Sequence, residues 1–377
     1  VVTNASGCDV AVVGGGLVGT ALAYELTNAG ARTVLVDRHD PGRATDAGAG
    51  ILSPETMSVE DPAWFALALA AAEHYRTLVP TLEAGGARDA GYAVTGALRI
   101  AFREWEDELF RENIALARAR HADVVEEISS EQARDLFPPL AEIRAAWWNR
   151  RAARVDGRSM TAALLDAAIA GGLSVVRGSA EDLVSVGTRV TGVAVAGEAT
   201  QCDAVVIAGG AWTPALATQL ATTIPVVPVR GQIVHLRFDG LDTAAWPIIQ
   251  PILSFYIVPW PDGRIAVGAT VEPDAGFDAR ATAGGLRQLF SEMLRLAPGL
   301  AEATFVEVRA GLRPVSADDA PVLGALPGWD NAFVCTGHGA NGLLLGPYSA
   351  RLVADLVIGQ APPTDIAPFR PDRFADA

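Results

Sequence analysis

Cys8-Asp9-Val10-Ala11-Val12-Val13-Gly14-Gly15-Gly16-Leu17-Val18-Gly19 is followed by Ala21-Leu22-Ala23-Tyr24-Glu25-Leu26 and, after Gly30, by Thr33-Val34-Leu35-Val36-Asp37. The first apolar, β-branched run reads as a buried strand, the residues from Ala21 have helical periodicity, and the second run is another strand. Between strand and helix, Gly14, Gly16 and Gly19 stand at the G-x-G-x-x-G spacing. Gly14 permits the tight turn, Gly16 lets the backbone approach a pyrophosphate with no Cβ in the way, and Gly19 brings helix and strand together. The helix N-terminus, at Leu17 and Val18, offers free N–H groups and a partial positive charge to phosphates. Asp37 is placed to accept hydrogen bonds from a ribose hydroxyl pair. The unit predicts dinucleotide binding and does not separate NAD from FAD.

Downstream, Thr45-Asp46-Ala47-Gly48-Ala49-Gly50-Ile51-Leu52-Ser53-Pro54 is a run of small residues ending in two aliphatics. It suits a backbone lying against a flat ligand, with Thr45, Ala49, Gly50 and Leu52 as the expected contacts. A helix is predicted over 61–79, with Pro62 in its first turn. One alternating strand is predicted over 91–101, then an amphipathic helix to about 121 and a helix opened by Ser129-Ser130-Glu131-Gln132. Trp147-Trp148 is expected in the core or an interface. A helix over 159–170, a strand at 173–176 and a hairpin over about 183–198 precede the apolar strand Ala204–Ala208. That strand empties into Gly209-Gly210-Ala211-Trp212, a second nucleotide-side turn at the carboxyl edge of a parallel sheet.

Residues 225–310 change character to alternating, proline-punctuated strands, Val229–Phe238, Leu253–Pro259 and Arg264–Thr270, interrupted by a helix at 283–296. After Gly311 the chain is glycine-rich again, through Cys335-Thr336-Gly337-His338-Gly339-Ala340-Asn341-Gly342, and an apolar helix follows over 343–358. The expected organisation is α/β. A discontinuous nucleotide lobe (1–80, 150–220 and 310–365) carries an inserted antiparallel-sheet substrate lobe (81–149 and 221–309), and 366–377 form a tail.

A chain of 377 residues has room for two such lobes. With 29 Lys and Arg against 44 Asp and Glu, its net charge of −15 argues against nucleic acid or an anionic membrane surface as partner. Cys8, Cys202 and Cys335 show no CxxC spacing, so neither a disulfide framework nor a metal site is expected. No secretory leader and no run of about 18 apolar residues is visible, and the expectation is a cytoplasmic protein without a membrane span.

These landmarks together resemble the D-amino-acid oxidase superfamily of flavoenzymes, in its glycine oxidase, sarcosine oxidase and D-amino-acid dehydrogenase branch. Four places carry the resemblance: the fingerprint with Asp37-Arg38; Pro228-Val229-Arg230-Gly231-Gln232; Tyr256-Ile257-Val258-Pro259 followed by Gly268-Ala269-Thr270; and Gly311-Leu312-Arg313-Pro314 followed by Gly337-His338 and Asn341-Gly342-Leu343-Leu344. The resemblance implies a glutathione-reductase-type Rossmann-like lobe binding FAD. Attachment would be non-covalent, because Gly311 stands where the covalent sarcosine oxidases have a cysteine.

It further implies that Ala180 meets the adenine and that Gly209 and Trp212 line the inner sheet edge. His338, Gly339, Ala340, Asn341, Gly342, Leu343 and Leu344 would face the flavin, and Arg38 would join Asp37 at the nucleotide. Arg313 would bind a substrate carboxylate with help from the Tyr256 hydroxyl, while the Cα hydrogen leaves as hydride to flavin N5. The implied substrate is a small amino acid or amine. The acceptor, oxygen or another, stays open, as does a homo-oligomer. Two departures stand out: Ala340 replaces an arginine of glycine oxidases, and Ile265-Ala266-Val267 lacks the lysine of sarcosine oxidases. A 2-hydroxy acid as substrate, or a flavin-binding subunit of a multi-subunit amine dehydrogenase, is the alternative.

Overall fold

In the computed structural model, which describes residues 7–57, 59–121, 124–252 and 255–375, the strand Cys8–Val13 lies between Thr33–Asp37 and Glu198–Ile207, parallel to both. Ser174–Arg177 extends the sheet on one side and Ala332–Thr336 on the other, again in parallel. Val10 and Val12 pack beneath the helices Leu17–Asn28, Gly157–Ala170 and Gly342–Val357. Ala11 and Val13 face the opposite core, under the hairpin Asp182–Val186 and Arg189–Val195. Burial on both faces is why this strand is apolar without alternation.

The turn after it shows why glycine is required. Gly14 has φ +111°, and a Cβ there would stand 2.4 Å from the Ala208 carbonyl oxygen. A Cβ on Gly19 would stand 1.8 Å from the Gly14 oxygen, so the first helix can approach the strand only through a glycine.

A second sheet has the order Thr304–Ser316, Val226–Arg237, Arg264–Gly268, Tyr256–Pro259, Ile248–Pro251, Ala97–Ala101, Ala145–Asn149, Val125–Ile128. Helix Ala283–Leu296 covers one face, burying Leu289 and Met293 against Val234, Ile257 and Val267. Neighbouring strands are antiparallel except Ile248–Pro251 and Ala97–Ala101, which run parallel. The expected antiparallel sheet is therefore mixed at one pair. That pair joins two distant segments of chain, where no hairpin turn imposes an antiparallel direction.

Three other expectations change. The strand predicted over 91–101 is two strands: Tyr92–Val94 joins Ala153–Val155 and Ile51–Leu52 in a small sheet, while Ala97–Ala101 enters the large one. The break falls at Gly96, with φ +74°. The helix expected to end at Val79 runs from Pro62 to Ala84 through Pro80. Pro80 is exposed, so the carbonyl one turn earlier, which loses its N–H partner, can bond water instead. Residues 304–316, divided by the expected lobe boundary at 310, form one continuous strand of the second sheet. Leu253 and Ser254, expected in a strand, lie outside the described residues; that strand is described as Tyr256–Pro259. Trp147 is fully buried in the core, as expected.

Candidate active site

A cavity of about 610 Å³ runs from the carboxyl edge of the parallel sheet to the face of the second sheet opposite helix Ala283–Leu296. At its sheet-edge end, the Asp37 carboxylate accepts the Gly15 N–H at 2.9 Å through Oδ1 and pairs with Arg43 at 3.2 Å through Oδ2. The Arg43 guanidinium also bonds the Gly15 carbonyl. Arg38 bonds Asp40 and lies with its guanidinium 5.9 Å from the Trp212 ring centroid. Ala180 and Gly209 also line the cavity. Arg43 was not anticipated; its only signal in the chain is a basic residue shortly after the acid that closes the second strand.

Two helix N-termini open onto the cavity. The helix Leu17–Asn28 has no side-chain cap at Gly16, and the Leu17 N–H is taken by Thr45 Oγ1 at 3.0 Å. Gly16 has φ −71°, and a Cβ there would meet only Thr45 Oγ1, at 3.3 Å. Glycine at this position leaves space toward the cavity rather than relieving a clash in the fold. The helix Gly342–Val357 likewise starts without a side-chain cap at Asn341, and Gly339 to Leu344 line the cavity wall. The remaining N–H groups of these first turns and the positive end of each helix dipole fit an anionic pyrophosphate at one end and an electron-rich ring edge at the other.

His338 is 3 % exposed, and among the described residues its Nε2 has no hydrogen-bond partner. Burial holds its pKa down at about 4, so the ring is neutral near pH 7. Ala49 and Gly50 line the cavity with Thr45. Leu52 does not: it points into the core, and its strand neighbour Ile51 faces the cavity, because successive strand residues point to opposite faces. Gly19 is also off the wall, occupied with helix–strand contact.

At the second-sheet end stand Arg313 and Tyr256. Arg313 Nη1 donates to the Thr270 carbonyl at 3.1 Å and the Arg230 carbonyl at 3.3 Å. The guanidinium lies flat on Gly231, where a Cβ would come within 2.3 Å of Nη2. Tyr256 lies over Gly268 in the same manner, with its hydroxyl 2.7 Å from where a Cβ would be, and it stands beside Arg313. Burial pushes the Tyr256 phenol up to about 12 against the pull of that guanidinium, so it stays protonated.

Other arginines nearby are already neutralised: Arg230 by Glu272 at 2.6 Å and Asp278 at 3.1 Å, Arg309 by Glu307 at 2.6 Å. Asp318, the acid nearest Arg313 in sequence, pairs with Arg373 at 2.7 Å. Among the described residues, no carboxylate lies within 4.0 Å of Arg313. A partly buried cation with a matched hydroxyl and no internal counter-ion is a site for an anion.

Residues 9–356 match the family described as FAD dependent oxidoreductase, DAO. The chain belongs to this family. It is 37% identical over 363 residues to the oxidoreductase YurR of Bacillus subtilis (strain 168), covering 96% of this chain and 97% of that protein. It is 36% identical over 375 residues to a glycine oxidase of Pseudomonas aeruginosa, covering 96% and 98%. The crystal structure of iminodiacetate oxidase from Chelativorans sp. BNC1 superposes with a TM-score of 0.92 at 34% identity, covering 96% of this chain and 98% of that one. The long cavity, its glycine-lined turn and the two helix N-termini that open onto it fit the cofactor of an FAD-dependent oxidoreductase. Among the described residues, no helix is long and apolar enough to cross a membrane.

Proposed function

We propose that the protein oxidises the Cα–N bond of a small carboxylate-bearing amine, such as glycine, an N-alkyl glycine or a D-amino acid, to the imine. The observation that carries this reading is Arg313, a cation without a counter-ion among the described residues, beside Tyr256 on the wall of the cavity that begins at the fingerprint. FAD, when bound, supplies the two-electron acceptor for the hydride leaving Cα. The chain's own contribution is positional. Arg313 offers a planar pair of N–H donors to the carboxylate, the Tyr256 hydroxyl adds a third bond, and the apolar Ile51 and Ile233 limit water around Cα. The neutral His338 braces the wall and need not remove a proton, since a neutral amine losing hydride requires no base at Cα.

Relatives named for glycine and iminodiacetate oxidation support this substrate class. The test is anaerobic reduction of the protein-bound flavin by a panel of glycine, sarcosine, D-amino acids, cyclic imino acids and 2-hydroxy acids. Bleaching by amino acids and not by hydroxy acids is expected; the reverse order would make the protein a hydroxy-acid dehydrogenase.

A further inference from the structure

Two backbone carbonyls hold the Arg313 guanidinium in place, through Nη1: that of Thr270 at 3.1 Å and that of Arg230 at 3.3 Å. The two oxygens belong to different segments. Arg230 lies within the strand Val226–Arg237, and Thr270 follows the end of the neighbouring strand Arg264–Gly268. The aim of the guanidinium therefore depends on how these segments are fixed to each other.

The Glu272 carboxylate ties them together. Its Oε2 accepts from Arg230 Nε at 3.0 Å and Nη2 at 2.6 Å, and its Oε1 accepts from Thr270 Oγ1 at 2.5 Å and Gln232 Nε2 at 2.6 Å. The directions of these bonds are set from outside. Thr270 Oγ1 already accepts the Gln232 N–H at 2.9 Å, and Gln232 Oε1 accepts the Thr282 N–H at 2.8 Å. The hydroxyl hydrogen and the amide NH2 are thus both turned toward Glu272. The backbone repeats the link, since the Glu272 N–H donates to the Arg230 carbonyl at 3.0 Å. That oxygen then takes one bond from Glu272 and one from Arg313, which uses both its lone pairs. Partial burial works against the Glu272 charge, but the bonds from Thr270, Arg230 and Gln232 outweigh it and hold the carboxyl below the usual carboxylate range.

We propose that Glu272 is a positioning residue for substrate binding: by locking Arg230 to Thr270 it aims the Arg313 guanidinium at the substrate carboxylate. This rests on the proposed anchoring role of Arg313. All four side-chain bonds at Glu272 run toward it, and a carboxylate can accept all four. A glutamine amide has one acceptor oxygen and would turn its NH2 toward donors, so at least one partner of this knot would let go. Arg230 would still have Asp278 at 3.1 Å, so its charge would keep a partner. What loosens is the junction that sets the two carbonyls, and with it the direction of Arg313. A hydrogen bond to a carboxylate weakens steeply once its donor is turned off line.

The experiment titrates the holoenzyme with acetate, a carboxylate without an amine, following the flavin absorption spectrum, and measures flavin reduction by the fastest amino acid of the panel. Glu272→Gln should raise the acetate Kd and the amino-acid KM together, by about threefold to thirtyfold, with kcat changed less and FAD content unchanged. In an Arg313→Ala background the same substitution should lower kcat/KM by no more than about twofold, because a residue acting through Arg313 has nothing left to aim. Thr270→Val removes the hydroxyl bond to Glu272 and should weaken acetate binding in the same direction, which carries the test if Glu272→Gln does not retain FAD. Acetate bound by these variants as tightly as by wild type overturns the assignment. So does an equal loss from Glu272→Gln with and without Arg313, which would make Glu272 a structural residue. If Arg313→Ala alone leaves acetate binding and amino-acid reduction unchanged, the anchor reading itself fails and this assignment falls with it.

Discussion

Removing the Arg313 guanidinium would leave a substrate carboxylate facing a largely apolar wall with the neutral Tyr256 hydroxyl to bond it. Charge-assisted hydrogen bonds of this kind contribute about 1.5–3 kcal/mol. Arg313→Ala should therefore lower kcat/KM for flavin reduction by amino acids about tenfold to a hundredfold while FAD stays bound. Tyr256→Phe removes one neutral hydroxyl and should cost about 0.5–1.5 kcal/mol. Stopped-flow reduction of both variants checks this, and normal turnover by Arg313→Ala would move the anchor elsewhere. Arg230 and Arg309 are poor substitutes, since each already has a carboxylate. Arg313 and Tyr256 could be read from the chain because their flanking motifs are local. Arg43 could not: it reaches Asp37 and Gly15 from a loop without a motif. Leu52 shows the finer limit: two adjacent aliphatics look alike in sequence, and the pleat decides which one faces the ligand.

At the level of elements, the strand Thr304–Ser316 was hidden by its own punctuation. Gly311 and Pro314 interrupt its strand pattern, yet Pro314 pairs with Pro228 on the edge strand of the sheet, at a point where the neighbouring Val226–Arg237 has not yet met Arg264–Gly268. Missing N–H groups are tolerated there. The helices were easier, because their caps and periodicity are local; the Ser129 capping box is one such case. What no local pattern shows is how helices meet. Glu25 on the first helix, His74 on Pro62–Ala84, and Arg351 and Asp355 on Gly342–Val357 form one cluster, with the His74 ring against Tyr348.

Burial raises the Glu25 carboxyl to about 7, opposed by Arg351 and reinforced by Asp355. The folded state then holds more protons than the unfolded between about 4.5 and 7, so this group lowers stability as pH rises through that window. His74, held at about 4 by burial and Arg351, does the opposite between about 4 and 6.5. The two slopes oppose each other over their shared range. Glu25→Gln should remove one of them, so that the variant gains on wild type by about 1–3 kcal/mol between pH 5 and pH 8. Urea unfolding of the holoenzyme across that range measures it; parallel curves for the two proteins would refute the cluster's role.

Across the whole molecule, the cavity takes its walls from both large sheets, so a ligand filling it ties together elements that the chain joins only through long connections. FAD should bind without a covalent link. Gly311 has no sulfur, and a Cβ there would stand 2.8 Å from the Ala47 Cβ. Acid precipitation should release all flavin to the supernatant. Because FAD binds the folded state alone, it stabilises by RT ln(1 + [FAD]/Kd), about 2.7 kcal/mol at a hundredfold excess over Kd, and the melting temperature of apoprotein should climb with added FAD. Gly16 offers the sharpest form of this test. Glycine is obligatory for the fold at Gly14 and Gly19, where a Cβ would strike backbone oxygen, but at Gly16 the dihedral suits any residue and the nearest obstacle is a hydroxyl at 3.3 Å. Gly16→Ala should therefore melt at or near the temperature of wild-type apoprotein while losing most of the FAD-dependent gain, because its methyl enters the space meant for the pyrophosphate. Melting curves of both proteins against FAD concentration decide it. A variant that melts well below apoprotein would make Gly16 a folding residue, and one with a full FAD response would place the pyrophosphate away from this turn.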